Sequence, residues 1–178
     1  KKELPETDDF QNVAKEIPLV SKLINDGYTG RKGKGGFYRM NKSGNQKILE
    51  AINLDNEKYA PSKKIDLKMD TVDIAGLINR DDKYGQYAWS VISKIIKYSS
   101  SLVPGITDKF NDIDEAMRLG FNWAMGPFEM LKEIGLDKFF KRVGSVDDNN
   151  FLLNLSKTKD KNFYGKRQLY TNIETLGK

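Results

Sequence analysis

The 178-residue sequence has no cysteine and no histidine. Without cysteine there is no disulfide framework, no thiolate nucleophile and no sulfur ligand for a metal. Without histidine there is no side chain whose ordinary pKa sits near neutrality, and no imidazole ligand. The Ser-His-Asp, Cys-His and His-carboxylate constellations are excluded together; a carboxylate or lysine mechanism stays open on paper, but neither a catalytic residue nor a metal site is expected within this chain. Long apolar runs are also missing. None approaches the ~20 residues of a membrane-spanning helix, and the longest helix candidate is interrupted by Lys94, Lys97 and serines. Lys1 opens the sequence with no Met, apolar leader or cleavage pattern. It therefore reads as a piece of something longer, not a targeted precursor, and a cytoplasmic location is expected.

What is present describes a globular protein, 38% hydrophobic and 31% charged. At this length roughly 70% of the unfolded surface can be buried, which suits one domain, or one domain with a tail. The net charge is +5, unevenly spread. Tyr28 to Lys47 carries six Lys/Arg and no acid, whereas half of Asp108 to Glu115 is acidic. A mild excess of this kind reads as mixed solvated surface; a basic nucleic-acid-binding helical domain is the alternative it leaves open.

Within the basic stretch, "YTGRKGKGGFYRM" packs glycines and cations ahead of Phe37-Tyr38. A phosphate loop would need lysine where Gly36 stands. A dinucleotide fingerprint would need glycine where Tyr38 stands. An RNP-type strand would need an aromatic at Gly36. The remaining reading is a tight turn, whose glycines let the backbone pack closely before a hairpin around "NKSGNQ".

Helix signals dominate the remainder. Pro18 opens a helix over Ile17 to Asp26 that stops at Gly27. Asp55 to Asp70 reads as a polar connector, followed by a weak helix over Thr71 to Asn79. Asp81 or Asp82 caps a long helix from Lys83 to Val103, stopped by Pro104-Gly105. Its inward stripe is Tyr84, Ala88, Val91, Ile92, Ile95, Ser99 and Leu102, widened by Trp89 and Ile96. "NDIDEAMRLG" starts from Asn111 or Asp112, buries Ile113, Ala116 and Met117, and ends at Gly120. "GPFEMLKEIG" places Pro127 in the first turn, Glu129 at the positive helix end and Gly135 after the last turn. "LDKFFKRVG" takes Asp137 as cap and Gly144 as stop, and a last helix spans Asn149 to Ser156. The predicted fold class is all-α, a bundle of short helices around one long one with short β-hairpin-like tails. The order helix, basic link, Phe-Tyr occurs twice, ending first at Phe37-Tyr38 and then at Phe163-Tyr164.

Two of these segments resemble one family. "GRKGKGGFYR" is similar to the close of the C-terminal domain of 3-hydroxyacyl-CoA dehydrogenases. "DIDEAMRLGFNWAMGPFEMLKEIGLD", Asp112 to Asp137, is similar to that domain's signature, although Lys132 and the lost glycines of the second closing motif depart from it. The closing motif comes before the signature. The resemblance therefore implies residues 1–54 as the tail of a first helical repeat, 55–70 as connector and 71–178 as a second whole domain, in the tandem order of bacterial multifunctional fatty-acid oxidation proteins. It implies NAD-dependent oxidation of L-3-hydroxyacyl-CoA to 3-ketoacyl-CoA in β-oxidation by the full-length protein. The catalytic His and Glu and the NAD-binding Rossmann domain would lie outside this chain, which binds no cofactor itself. The implied partners are a CoA thioester, the Rossmann domain, an enoyl-CoA hydratase domain and a homodimer mate, with no nucleic acid.

Asn122, Trp123, Gly126, Pro127 and Phe128 are the candidates for the wall of the CoA-ester cleft or for an interface, with packing as the competing role. Asp112, Asp114 and Glu115 read as helix-start capping in preference to an acid/base pair. Arg31, Lys32 and Lys34 are either CoA-phosphate contacts or solvated surface. A purely structural interdomain or dimerisation module is the second functional reading.

Overall fold

Residues 3–43, 46–64, 66, 73–146, 148–157 and 163–164 are described by the structure, a computed structural model. The chain divides into two units, Lys1–Lys68 and Met69–Lys178.

In the first unit, α1 (Phe10–Val13) and α2 (Pro18–Asn25) precede an antiparallel sheet of β1 (Tyr38–Asn41), β2 (Ile48–Ile52) and β3 (Tyr59–Pro61), in that order. Pro18 occupies the start of α2, and Gly27 follows with φ +82°. The glycine-rich stretch is a turn, in which the Gly30 N–H donates to the Gly35 carbonyl at 2.7 Å. Gly35 has φ +123°, and a Cβ there would lie 2.6 Å from the Cβ of Arg39. Only glycine suits that position.

The expected hairpin forms as β1 and β2. The expected connector, however, contains a third strand. Tyr59 is held by a stack on Tyr28 at 5.7 Å, by the Arg39 guanidinium 3.9 Å above its ring, and by its own hydroxyl, which donates to the Gly36 carbonyl at 2.6 Å. Pro61 is tolerated because β3 is an edge strand. Arg39 and Glu50 face each other across β1 and β2 and pair at 2.7 Å. Asn41 adds a hydrogen bond to Glu50 at 2.9 Å, and together these partners hold the carboxyl below its usual range.

The second unit carries α3 (Ile74–Ile78), α4 (Lys83–Ser101), α5 (Phe110–Phe121), α6 (Pro127–Ile134), α7 (Leu136–Val143) and α8 (Asn150–Lys157). Its core joins Ile78, Ala88, Ile96, Phe128, Leu131, Ile134, Phe139 and Leu152. Phe110 is an aromatic hub, with the rings of Phe128, Phe151, Phe163 and Tyr164 all between 5.2 and 5.8 Å from its own.

Several sequence expectations shift by a residue or a face. On α4 the buried stripe runs through Gly85, Ala88, Ser93, Ile96, Ser99 and Ser100, while Val91 is exposed. Small serines face the bundle because they allow neighbours to approach closely, and Ser100 satisfies its hydroxyl on the Ile96 carbonyl at 2.7 Å. Helix α5 begins at Phe110 without a side-chain cap from Asn111 or Asp112, runs through Gly120 and ends at Asn122 in the left-handed region. Ala116 faces solvent, and the buried residue of α5 is Asp114. Asp137, the expected cap, lies instead inside the first turn of α7, two residues after the observed cap Gly135. The expected weak helix is shortened to Ile74–Ile78 and capped by Asp73; its predicted start at 71–72 lies outside the described residues.

At the head of α4, the Asp82 carboxylate accepts from the Tyr84 and Gly85 N–H groups, both at 3.1 Å, and pairs with Arg80. The Arg80 hydrogen bond is the main reason its pKa falls from 3.8 to about 2, with the backbone donors contributing. A carboxylate depressed on folding contributes stability that is fully present above its unfolded pKa and lost as pH falls through the folded one. Asp82→Ala is therefore expected to lower the melting temperature at pH 7. Its deficit against wild type should close between pH 3.8 and about 2, as read by circular-dichroism melts across that range.

Candidate functional site

The corner between α5 and α6 holds the most constrained chemistry of the second unit. Helix α6 starts at Gly126-Pro127. Glycine has no side chain to cap with and proline has no N–H to be capped, so the Phe128 and Glu129 N–H groups are the orphan donors. Both are satisfied from another helix. Asp114 of α5 accepts from Phe128 at 2.8 Å and from Glu129 at 3.0 Å. The Glu129 carboxylate folds back onto the Gly126 N–H at 2.9 Å. Arg118, one turn after Asp114 on α5, lies 3.6 Å from Glu129.

Asp114 is fully buried, and burial pushes its carboxyl pKa up against the lowering effect of its three donors. The third donor is the Tyr164 hydroxyl, at 2.6 Å. Tyr164 is itself 7% exposed, and burial together with the Asp114 carboxylate pushes its phenol strongly up. The pair is a charge-assisted hydrogen bond between a helix cap and the closing aromatic segment. Removing the hydroxyl by Tyr164→Phe is expected to cost about 2 kcal/mol, measured as a drop in unfolding free energy in urea. An unchanged midpoint would mean that this hydrogen bond contributes nothing to the unit.

The five candidate residues fall into three settings. Gly126, Pro127 and Phe128 are buried in the corner, Phe128 completely. Asn122 is exposed and serves as the left-handed C-cap of α5, its N–H donating to the Met117 carbonyl. Trp123 is half-buried and lines an open groove of about 710 Å³ with Ile74, Leu77, Ile92, Met125 and Met130. Asp73 and Glu133 are the charged residues of its lining. With two acids and no cation, the groove suits an apolar chain or an apolar protein face and repels phosphate.

Of the three acids expected to act at a helix start, Asp112 lies in the first turn of α5 and accepts from the Thr107 hydroxyl at 3.0 Å. Asp114 instead caps the following helix, through contacts 14 and 15 residues away that no local spacing announces. Arg31 and Lys34 line a separate open groove in the first unit, with Arg39 and Lys42. Glycines 30 to 36 there form a turn into an antiparallel hairpin, so they offer no strand–loop–helix cradle and do not fit a dinucleotide. Among the described residues no group of three or more acidic side chains could hold a metal ion. No helix of the described residues is long and apolar enough to cross a membrane.

Comparison with known proteins places this geometry in context. Residues 90–148 match the family described as "3-hydroxyacyl-CoA dehydrogenase, C-terminal domain", a span that includes the whole α5–α6 corner. The chain is 39% identical over 144 residues to the "Putative fatty acid oxidation complex trifunctional enzyme" of Rickettsia felis, covering 81% of this chain and 20% of that one. It is 37% identical over 128 residues to the protein of the same name in Rickettsia prowazekii, covering 72% and 18%. To the "Probable 3-hydroxyacyl-CoA dehydrogenase" of Bacillus subtilis it is 31% identical over 145 residues, covering 72% and 18%. The chain thus spans about a fifth of the length of these curated relatives. No solved structure matches the chain.

Proposed function

We propose, for a chain whose residues 90–148 belong to the C-terminal domain family of 3-hydroxyacyl-CoA dehydrogenases, that it is the helical, non-catalytic part of a longer NAD-dependent dehydrogenase of fatty-acid oxidation. The full-length polypeptide would oxidise L-3-hydroxyacyl-CoA to 3-ketoacyl-CoA. NAD accepts the hydride in that reaction, and its site belongs to residues outside this chain, since the glycine turn here does not fit it. The observation that carries the reading is the α5–α6 corner. Its carboxylates are engaged in capping a helix and receiving a tyrosine, so they are unsuited to move substrate protons.

The contribution of this chain is then shape. Trp123 and its groove form a wall for the acyl portion of the CoA ester, while the acidic lining keeps the phosphates elsewhere. Residues 1–54 are the tail of a first helical repeat, 55–70 the link and 71–178 a second copy, an order supported by the two Phe-Tyr pairs. The relatives' trifunctional names support further catalytic domains on the same polypeptide; the family resemblance makes an enoyl-CoA hydratase one of them.

The test is turnover of L-3-hydroxybutyryl-CoA with NAD, followed as NADH absorbance. The full-length polypeptide should turn over, and the isolated 178 residues should not. Turnover by the isolated chain would overturn the proposal. A second reading, a packing module with no ligand of its own, is favoured by the acidic lining of the groove. Quenching of tryptophan fluorescence by a long-chain acyl-CoA, abolished by Trp123→Ala, separates the first reading from it.

A further inference from the structure

The groove beside Trp123 is apolar along its walls and acidic wherever it is charged. Met125 and Met130 are unbranched and polarizable, so they adapt to a flexible chain, and the Trp123 indole offers a flat apolar face beside them. Asp73 and Glu133 complete the lining, and no cation accompanies them. Both acids are exposed, and neither forms an ion pair among the described residues. Asp73 accepts from the Gly76 N–H as the cap of α3, a neutral donor that leaves its charge uncancelled. Neighbouring cations are turned elsewhere. Lys132, beside Glu133 on α6, lies 5.7 Å from the centre of the Tyr164 ring, and Arg80, just after α3, pairs with Asp82.

We infer that Asp73 and Glu133 select the substrate class: they admit acyl-CoA esters whose chain ends in a methyl group and exclude those whose chain ends in a carboxylate. The inference rests on the reading of this groove as the acyl wall and adds what that wall rejects. A methyl-ended chain brings only apolar surface to Trp123 and the two methionines, and its burial there is favourable. A carboxylate-ended chain brings the same methylenes, but its terminal charge must shed water against an apolar wall that offers no cation. It then meets two like charges in a partly desolvated setting, where a charge pair counts for more than in bulk water. The two penalties share one sign. Reversing the charge of either acid would invert the second penalty and leave the first in place.

The test offers two substrates to the full-length polypeptide: L-3-hydroxydodecanoyl-CoA, and the same ester with a carboxylate at the far end of its chain. Each is followed as NADH absorbance. Wild type should prefer the methyl-ended ester in kcat/KM by about a hundredfold, about tenfold for each acid faced. Asp73→Asn, which keeps a good cap for α3, and Glu133→Gln should each shrink that preference about tenfold. Glu133→Lys should shrink it further. Added salt should also shrink the wild-type preference, because both acids are open to screening. The readout is a ratio within one protein, so a loss of stability common to both esters cancels. A wild-type preference below about threefold, or one that Glu133→Lys leaves unchanged, would overturn the inference while the enzymatic reading stands. No turnover of either ester by wild type would overturn both.

Discussion

Gly126→Ala is expected to unfold the helical unit at temperatures where wild type is stable. A Cβ at this position would lie 2.3 Å from the Cα of Asp114 and 2.2 Å from its Oδ1. Neither is the yielding end of a flexible side chain, because that carboxylate is fixed by three donors. The backbone at Gly126, φ −81° and ψ 171°, is open to any residue, so the penalty is purely steric. Pushing α5 away from α6 breaks the cap and opens the packing beneath Phe128. The cost is about 3 kcal/mol or more, at the upper end for inserting a methyl group into a packed interior. Gly144→Ala provides the control. There φ is +77° and ψ −137°, a conformation that favours glycine, and nothing lies within 4 Å of the added Cβ, so backbone strain of about 2 kcal/mol is expected with no steric clash. Urea unfolding followed by circular dichroism should rank Gly126→Ala below Gly144→Ala. Equal midpoints would mean that the close contact between α5 and α6 does not limit stability.

Asp114→Ala should be comparably damaging for the opposite reason, since it removes atoms. Two backbone N–H groups at the start of α6 and the Tyr164 hydroxyl lose their acceptor inside the unit. At about 1–3 kcal/mol for each buried donor left unpaired, a loss of about 4 kcal/mol is expected after partial relaxation. Asp114→Asn keeps the shape but must turn an amide donor toward one of three donors, and should cost about half as much.

The two variants also separate cap from charge. Burial raises the folded pKa of Asp114 above its unfolded value, so the native state binds the proton more tightly. Between the two values stability falls as pH rises, and it stays at the lower level above the folded pKa. This slope opposes the one from Asp82, whose pKa is lowered. Asp114→Asn should therefore remove a downward component from the acid side of the stability–pH curve and leave the Asp82 component in place. Melts at unit steps from pH 3 to pH 7 read the difference.

How much of this could be read in the sequence depended on the range of the interaction. Helix α6 was legible because all its signals are local: Pro127 at the first position, Glu129 one turn in, and Gly135 with φ +85° at the end. Helix α2 was legible for the same reason, with Pro18 before it and Gly27 after it. The role of Asp114 was not. Its partners Phe128 and Glu129 lie on another helix, and beside Asp112 and Glu115 it looks like one more acid in a first turn. Nor does any local signal mark Phe110 as the ring on which four others converge. Strand β3 was hidden because an edge strand of three residues shows no periodicity; its reason to exist is the non-local stack of Tyr59 with Tyr28 and Arg39. The family motif located the corner, and the structure adds what holds it together.

The central claim is that this chain contributes a rigid corner and an apolar wall, with no proton or hydride passing through its own residues. It is tested most directly by the kcat for L-3-hydroxybutyryl-CoA and NAD of the full-length polypeptide carrying Asp114→Asn, at a temperature where circular dichroism shows the variant folded. The account predicts a kcat within about threefold of wild type, since only a cap has been weakened. A fall of a hundredfold or more in a folded variant would place Asp114 in the chemistry and contradict the account.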